Sequence, residues 1–197
     1  MEPIQLITER LLLRPFTPAD APAVLAACQD PEIQRWTTVP SPYTADDARA
    51  FIEDVSPAGW RDGTSYGFGL FSRDDGRLVG AMGLERLAQL RAPERQAELG
   101  FWTAKEARGR GYTVEAGRAV VRWAFEELGA ERLEWVAEAG NEGSRAVALK
   151  LGFRMEGTQR SKLVHAGTRR DAWAGALLPS DLGLPQRTAH LPFPGRG

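Results

Sequence analysis

Arg108-Gly109-Arg110-Gly111-Tyr112-Thr113 is the segment whose residue types and spacing carry the most chemistry. An apolar strand pattern ends just before it and a helical pattern begins just after it. Its backbone N–H groups therefore converge at the positive end of a helix, a place that suits a diphosphate. Gly109 and Gly111 let the main chain approach an anion with no Cβ in the way, while Arg108 and Arg110 add mobile positive charge. The plainer alternative is a tight turn flanked by two solvated arginines. Of two other phosphate loops, spelling excludes one and leaves the second a poor runner-up. A nucleoside-triphosphate loop needs Lys and then Ser or Thr after its last glycine, where this chain has Tyr112-Thr113. A dinucleotide loop needs a small residue where Val114 stands, and a parallel rather than an antiparallel approach.

The elements that must position this loop follow from periodicity. Arg10 to Phe16 is a short apolar strand, and Thr17-Pro18-Ala19-Asp20 opens a helix that runs to about Cys28. Thr44-Ala45-Asp46-Asp47 opens a second helix, with Ala48, Phe51, Ile52 and Val55 on one face, which Pro57 and Gly59 are expected to stop. Tyr66 to Leu84 reads as a hairpin around Asp74-Asp75-Gly76, the stretch Ala88 to Gln96 as a turn, and Glu98 to Thr103 as the next strand. Val114 to Leu128 is helical up to Gly129, Arg132 to Glu138 alternates as a strand, and Asn141 to Leu151 is a short helix closed by Gly152. Phe153 to Arg160 and Ala172 to Leu178 are two last strands about a turn at His165 to Gly167. The order is mixed α/β. Residues 1–178 are expected to form one domain, and 179–197, with Pro179, Pro185, Pro192, Pro194 and a Gly195-Arg196-Gly197 end, a tail with little regular structure.

Composition narrows the function classes. Twenty-five basic residues nearly cancel 26 acidic ones, a formal net charge of −1, so no global field recruits nucleic acid or an anionic membrane. No apolar run approaches the roughly 18 to 20 residues that cross a bilayer, and Met1-Glu2-Pro3-Ile4 does not open a signal peptide. A cytoplasmic protein is expected. Cys28 is the single cysteine, and with only His165 and His190 as further soft ligands no structural zinc site is expected.

Arg108, Gly111 and Thr113 resemble the (Gln/Arg)-x-x-Gly-x-(Gly/Ala) coenzyme A loop of the GNAT acetyltransferase superfamily, with Thr113 a departure at the last position. Asn141-Glu142-Gly143-Ser144, then Ala146, Leu149-Lys150-Leu151-Gly152-Phe153 and Glu156-Gly157, are similar to the branch of ribosomal-protein N-acetyltransferases. Thr8-Glu9-Arg10-Leu11 through Leu13-Arg14-Pro15, Glu98-Leu99-Gly100-Phe101-Trp102, and the ending Gly167, Asp171, Leu177-Leu178 and Ser180-Asp181 extend the resemblance to nearly the whole chain. It implies a mixed, mostly antiparallel sheet of about seven strands, splayed at the centre and flanked by about four helices. It implies acetyl-coenzyme A as cosubstrate, no metal, and direct attack by an amine in a ternary complex. The acceptor is then a protein N-terminus or a small amine, such as an antibiotic, a polyamine or an amino acid. A coenzyme A-binding module without turnover is a further alternative, and the protein is expected to be a monomer or a homodimer.

Acetyl transfer from a thioester needs an amine stripped of its proton, a stabiliser for the developing oxyanion, and preferably an acid for the thiolate. In the resemblance the loop residues Arg108, Gly109, Arg110, Gly111, Tyr112 and Thr113 bind the cofactor and Asn141 holds its pantetheine arm. Glu98 is the first candidate base and Glu85 the second; an exposed carboxylate paired with an arginine is the plainer reading of Glu98. Backbone N–H groups near Phe101 to Thr103 are expected to serve the oxyanion. Many members carry a tyrosine acid where this chain has Ala148, and Ser144 is then the substitute. Asn141 and Ser144 also read as helix caps. Trp36, Tyr43 and Trp60 line the acceptor side or belong to the core, and Cys28 is expected to be a buried hydrophobe rather than a nucleophile.

Overall fold

The structure, a computed structural model, describes residues 1–191. Pro192, Pro194 and Gly195-Arg196-Gly197 of the expected tail lie outside the described residues. One open sheet of eight strands has the order β1-β2-β3-β4-β5-β6-β8-β7. The strands are β1 (Leu6–Ile7), β2 (Leu11–Arg14), β3 (Tyr66–Ser72), β4 (Leu78–Glu85), β5 (Gln96–Thr103), β6 (Arg132–Glu138), β7 (Arg154–His165) and β8 (Thr168–Leu177). Every neighbouring pair is antiparallel except β5 and β6. The strand beyond the expected seven is β1, two residues long and too short to leave a period in the sequence.

Helices cover both faces. On one face lie α1 (Ala21–Cys28), α2 (Pro31–Trp36) and α3 (Ala45–Ala50), packed through Val24, Cys28, Ile33, Tyr43 and Ala48 onto Phe71 and Ala81 of the sheet. On the other lie α6 (Tyr112–Glu126) and α7 (Glu142–Leu151), over Leu84, Leu99, Leu133 and Trp135. An aromatic stack of Trp60, Tyr66, Phe68 and Trp123 ties α4 (Ser56–Asp62) to α6, with the Trp60 and Trp123 rings 6.1 Å apart. Among the described residues seven helices stand against the expected four: α2 and α5 (Leu87–Arg91) are short helices within segments that read as loop or turn, and α4 continues the second expected helix.

Helix ends obey local chemistry. Thr44 and Asp47 form a reciprocal capping box at the start of α3, and Arg14 holds Asp20 with two hydrogen bonds of 2.8 and 2.9 Å where α1 begins. Pro57 and Gly59 do not stop the second helix as the sequence suggested. The backbone widens into a π turn at Phe51–Val55 just before Pro57, and the helix continues to Gly63, whose φ of 63° ends it. At the other end of the chain, Pro179–Leu182 forms a 3-10 turn in which Asp181 accepts from the Leu178 amide and pairs with Arg154 at 2.8 Å.

Candidate functional site

The centre of the sheet parts. Strands β5 and β6 pair at Gln96↔Arg132, Ala97↔Leu133 and Glu98↔Glu134 and no further. Beyond that point Leu99 to Thr103 stays on β4, and Trp135 to Glu138 stays on β8. A notch opens between them. Along β5 alternate residues direct their N–H and C=O groups to opposite neighbours, so every second residue from 99 to 103 turns its main-chain polar groups into the notch. The β4–β5 register runs to Gly80↔Thr103 without a bulge, so it is the parting of β5 from β6 that leaves these groups facing the notch.

Glu98 sits at the apex, at the last paired position. Register sets Glu85 of β4 and Glu134 of β6 on either side of it, three carboxylates in one row on the face that carries α1–α3. A Cβ at Gly100, the next residue on that face, would meet nothing within 4 Å, so the space above Glu98 is open. The Glu98 side chain is one-fifth exposed, and its buried Oε2 has no hydrogen bond among the described residues, although Arg86 Nε stands 3.0 Å away out of line with it. Burial pushes Glu98 above the usual carboxylate range, against the opposing pull of Arg86. Glu85 is the more open of the two residues, yet its carboxyl is pushed up to about 7, first by the protein atoms crowded around it and then by the charge of Glu98. The arginine-paired reading of Glu98 is thus present in the structure, without the aligned hydrogen bond that would occupy the carboxylate.

The glycine-rich loop follows β5 through a 3-10 turn at Lys105–Ala107. Gly109 and Gly111 have φ of 74° and 80°, left-handed values open to glycine, and Gly111 is the N-cap of α6. Among the described residues no side chain caps this helix; its first intrahelical bond runs from the Glu115 amide to the Gly111 carbonyl, which leaves the amides of Tyr112, Thr113 and Val114 without helical partners. A Cβ at Gly109 would meet nothing within 4 Å, so the approach to these amides is clear. The loop is anchored from outside. Glu115 accepts from Thr8 Oγ1 at 2.6 Å, from the Arg10 amide at 2.8 Å and from Arg10 Nε at 2.6 Å, while Arg10 Nη1 donates to the Arg110 carbonyl at 3.1 Å. Thr113, the departure from the family pattern, is buried with its hydroxyl 2.6 Å from that of Thr103, joining the end of β5 to the first turn of α6.

The two loop arginines differ. Arg108 is not the mobile charge the sequence suggested: its guanidinium is paired with Asp30, the N-cap of α2, and donates to the Thr103 carbonyl at 3.3 Å. Asp30 lies 78 residues away in sequence, so no local signal announces the pair. Arg110 is exposed and forms no ion pair among the described residues. Beside the loop lies a cleft of about 660 Å³ with Arg118 and Lys150 in its lining, two cations that loop spelling alone does not flag.

On the far wall of the notch, Asn141 is the N-cap of α7, its Oδ1 accepting from the Ser144 amide at 3.0 Å. Ser144 is not a cap. Its Oγ accepts a 2.9 Å hydrogen bond from Nε1 of the buried Trp135 on β6 and donates to no group among the described residues. Ala148 is fully buried in the core. Helix α2 spans the mouth: Asp30 holds Arg108 at one end, and at the other Arg35 makes a two-pronged pair with Glu138 at 2.6 and 2.8 Å. The Arg35 hydrogen bonds hold Glu138 below the usual carboxylate range. Trp36 lies at this mouth beside Gly140, whereas Tyr43 and Trp60 are core residues, 5% and 1% exposed. Among the described residues no cluster of His, Cys, Asp and Glu is placed to hold a metal ion, and no helix is long and apolar enough to cross a membrane.

Comparison with known proteins fits this geometry. Residues 10–154 match the acetyltransferase (GNAT) domain family. The chain is 34% identical over 175 residues to YdaF of Bacillus subtilis, named provisionally as a ribosomal N-acetyltransferase, covering 87% of this chain and 93% of that one. A Vibrio cholerae structure named provisionally as a ribosomal-protein-serine acetyltransferase superposes with a TM-score of 0.80 at 28% identity, covering 89% of this chain and 98% of that one. RimL, a ribosomal α-N-protein acetyltransferase solved with coenzyme A, shares the fold, with a TM-score of 0.77 at 18% identity over 90% of this chain and 98% of its own. The family match runs from Arg10, the residue that anchors the loop, to the first residue of β7, and so takes in both walls of the notch. On that ground the chain belongs to the GNAT acetyltransferases and is an acetyl-coenzyme A-dependent N-acetyltransferase.

Proposed function

We propose that the enzyme moves the acetyl group onto the α-amine at a protein N-terminus, by direct attack within a ternary complex held in the notch. The observation that carries this reading is the parting of β5 and β6 at Glu98, with two carboxylates of raised pKa on one face and the free hydroxyl proton of Ser144 on the opposite wall. An acceptor amine needs a base and a departing thiolate needs an acid, and the two stand on opposite sides of the gap. The names of YdaF and the Vibrio cholerae structure support a protein acceptor.

In this reading the amides of Gly109 to Thr113 bind the diphosphate at the start of α6, and the exposed Arg110 adds charge. Arg108 acts through Asp30, fixing α2 against the loop. Asn141 has spent its carbonyl oxygen on the cap and keeps its NH₂ donors for the pantetheine arm. The Glu98 and Glu85 pair takes the amine proton, directly or through water. Main-chain N–H groups of residues 99–103 face the carbonyl oxygen as its charge grows. Ser144 gives its proton to the thiolate. A covalent route through Cys28 is disfavoured, because burial pushes that thiol up to about 11 and leaves almost no thiolate at neutral pH.

The test is release of coenzyme A in the presence of a panel of N-terminal peptides, polyamines, free amino acids and aminoglycosides. The reading expects peptide turnover with one acetyl group on the N-terminal residue. Faster transfer to small amines contradicts the protein acceptor, and cofactor binding without turnover on any amine contradicts catalysis.

A further inference from the structure

The hairpin of β7 and β8 runs past the end of β6 and carries charge that the notch reading does not use. Between Gln159 and Leu163 its register shifts, so Arg160, Ser161 and Lys162 stand opposite Asp171 alone. Asp171 is occupied by this bulge: its Oδ1 accepts from the Ser161 amide at 2.8 Å, while Arg169 donates to the Ser161 carbonyl at 3.0 Å. The segment from 159 to 171 therefore presents four cations, Arg160, Lys162, Arg169 and Arg170, against one carboxylate already engaged, in a chain whose net charge is −1. All four are exposed, and Arg160, Lys162 and Arg169 form no ion pair among the described residues. Such a concentration of one sign creates a local field even where the whole chain is near neutral.

Its placement relates it to the acceptor. Register puts Arg170 on the same face as Ala172, which pairs with Glu138, and Arg170 Nε lies 3.9 Å from Glu138 Oε1 at the mouth of the notch. Lys162 is near enough to Glu98 for its charge to favour the ionised carboxylate. The rim beside the candidate base is thus positive while its floor is acidic. Capture of a strand along the outer edge is disfavoured there, because β7 carries two register shifts that break its edge pattern. Contact with a partner must run through the side chains.

We infer that the basic half of the β7–β8 hairpin binds an acidic stretch of polypeptide directly following the acceptor amine, so that the enzyme selects N-termini followed by Asp and Glu. This rests on the protein N-terminus as acceptor. An extended peptide advances about 3.3 Å per residue, so a hairpin arm of this length meets roughly the second to seventh residues of the acceptor. Opposite charges at such a rim act on encounter and on modest affinity, and two or three exposed pairs together are worth about tenfold in kcat/KM at low salt.

The experiment compares three peptides with the same first residue and acidic, neutral or basic flanks, by kcat/KM in the parent and in the double variant Arg160→Gln/Arg169→Gln, which keeps Lys162 near Glu98 and Arg170 beside Glu138. Fluorescence anisotropy of the same peptides with blocked amines gives binding apart from transfer. The inference expects the acidic flank to lead by about tenfold in the parent, to lose that lead in the variant and in high salt, and the neutral peptide to be transferred equally by both enzymes. Equal use of all flanks, or a basic preference, overturns the docking role and leaves the acceptor reading intact. Salt-sensitive binding of the acidic peptide without transfer to any peptide supports the surface and overturns the acceptor reading. A single-stranded oligonucleotide that binds the hairpin more tightly than the acidic peptide reassigns the surface and overturns the inference.

Discussion

Removing the Ser144 hydroxyl separates a structural from a catalytic role, provided the indole beside it is treated explicitly. Ser144→Ala leaves the backbone bond to Asn141 in place, so the cap of α7 survives. It takes away the acceptor of Trp135 Nε1, 2.9 Å distant, and Trp135 is 1% exposed, so a buried N–H loses its partner. That costs about 1 to 3 kcal/mol of stability, a fall in Tm of roughly 2–4 °C per kcal/mol for a chain of this size. Trp135→Phe together with Ser144→Ala leaves no polar group unpaired, so the double variant should be more stable than the sum of the two single losses predicts, although the smaller ring in the core carries a cavity cost of its own. The rate should not recover. A positioned acid contributes roughly 100-fold, about 2.7 kcal/mol of barrier, so single-turnover transfer well below the Tm should fall by that factor in both Ser144→Ala proteins and stay near parental in Trp135→Phe alone. Cofactor affinity should change little in all three. Transfer by Ser144→Ala within a few-fold of the parent refutes the acid role and leaves Ser144 as the partner of a buried indole.

The base reading gives a rate that is low below neutral pH and rises to a plateau as the Glu85 and Glu98 pair loses its protons, with an apparent pKa near 7 in kcat/KM. Glu85→Gln should remove that inflection and Glu98→Gln should depress the plateau; an unchanged profile in both excludes the pair. The same shift has a sign for stability. Because folded Glu85 keeps its proton between 4.5 and about 7, its contribution is lost as pH rises through that window, and Glu85→Gln should flatten the dependence in denaturant titrations. For Glu115, burial pushes upward but the Thr8 and Arg10 hydrogen bonds outweigh it, so its carboxylate lies below the usual range. Its contribution is full above pH 4.5 and lost on acidification through the lower folded value, and Glu115→Gln should cost about 1 to 3 kcal/mol at neutral pH and lose less than the parent in acid. Gly111→Val forces a branched residue into φ of 80°, costing about 1 to 2 kcal/mol, and should weaken acetyl-coenzyme A by ten- to a hundredfold in calorimetry if the amides there hold the diphosphate. An affinity within a few-fold of the parent refutes that assignment.

Local patterns made much of this legible. The hairpin of β3 and β4, the strand Arg132–Glu138 and the helix after the glycine-rich loop declare themselves through period, turn residues and caps. Short elements do not: β1 has two residues, and α2 and α5 lack the length to show a face. The helix through Pro57 escaped because a π turn accommodates the ring, a backbone choice with no spelling of its own. In the site, residue types pointed to the loop, to Glu98 and to Ser144, but their relations depend on long-range register. The row of Glu85, Glu98 and Glu134 joins three strands, Arg108 is tied across the fold to Asp30, and Ser144 meets an indole nine residues earlier on a different element.

Direct transfer in the notch is tested most simply by mass spectrometry of the enzyme after incubation with acetyl-coenzyme A, first without and then with an N-terminal peptide. The account expects no acetyl group on the protein and no coenzyme A released in the first step, then one acetyl group on the peptide per coenzyme A in the second. An acetylated enzyme that passes its acetyl group to the peptide would contradict it.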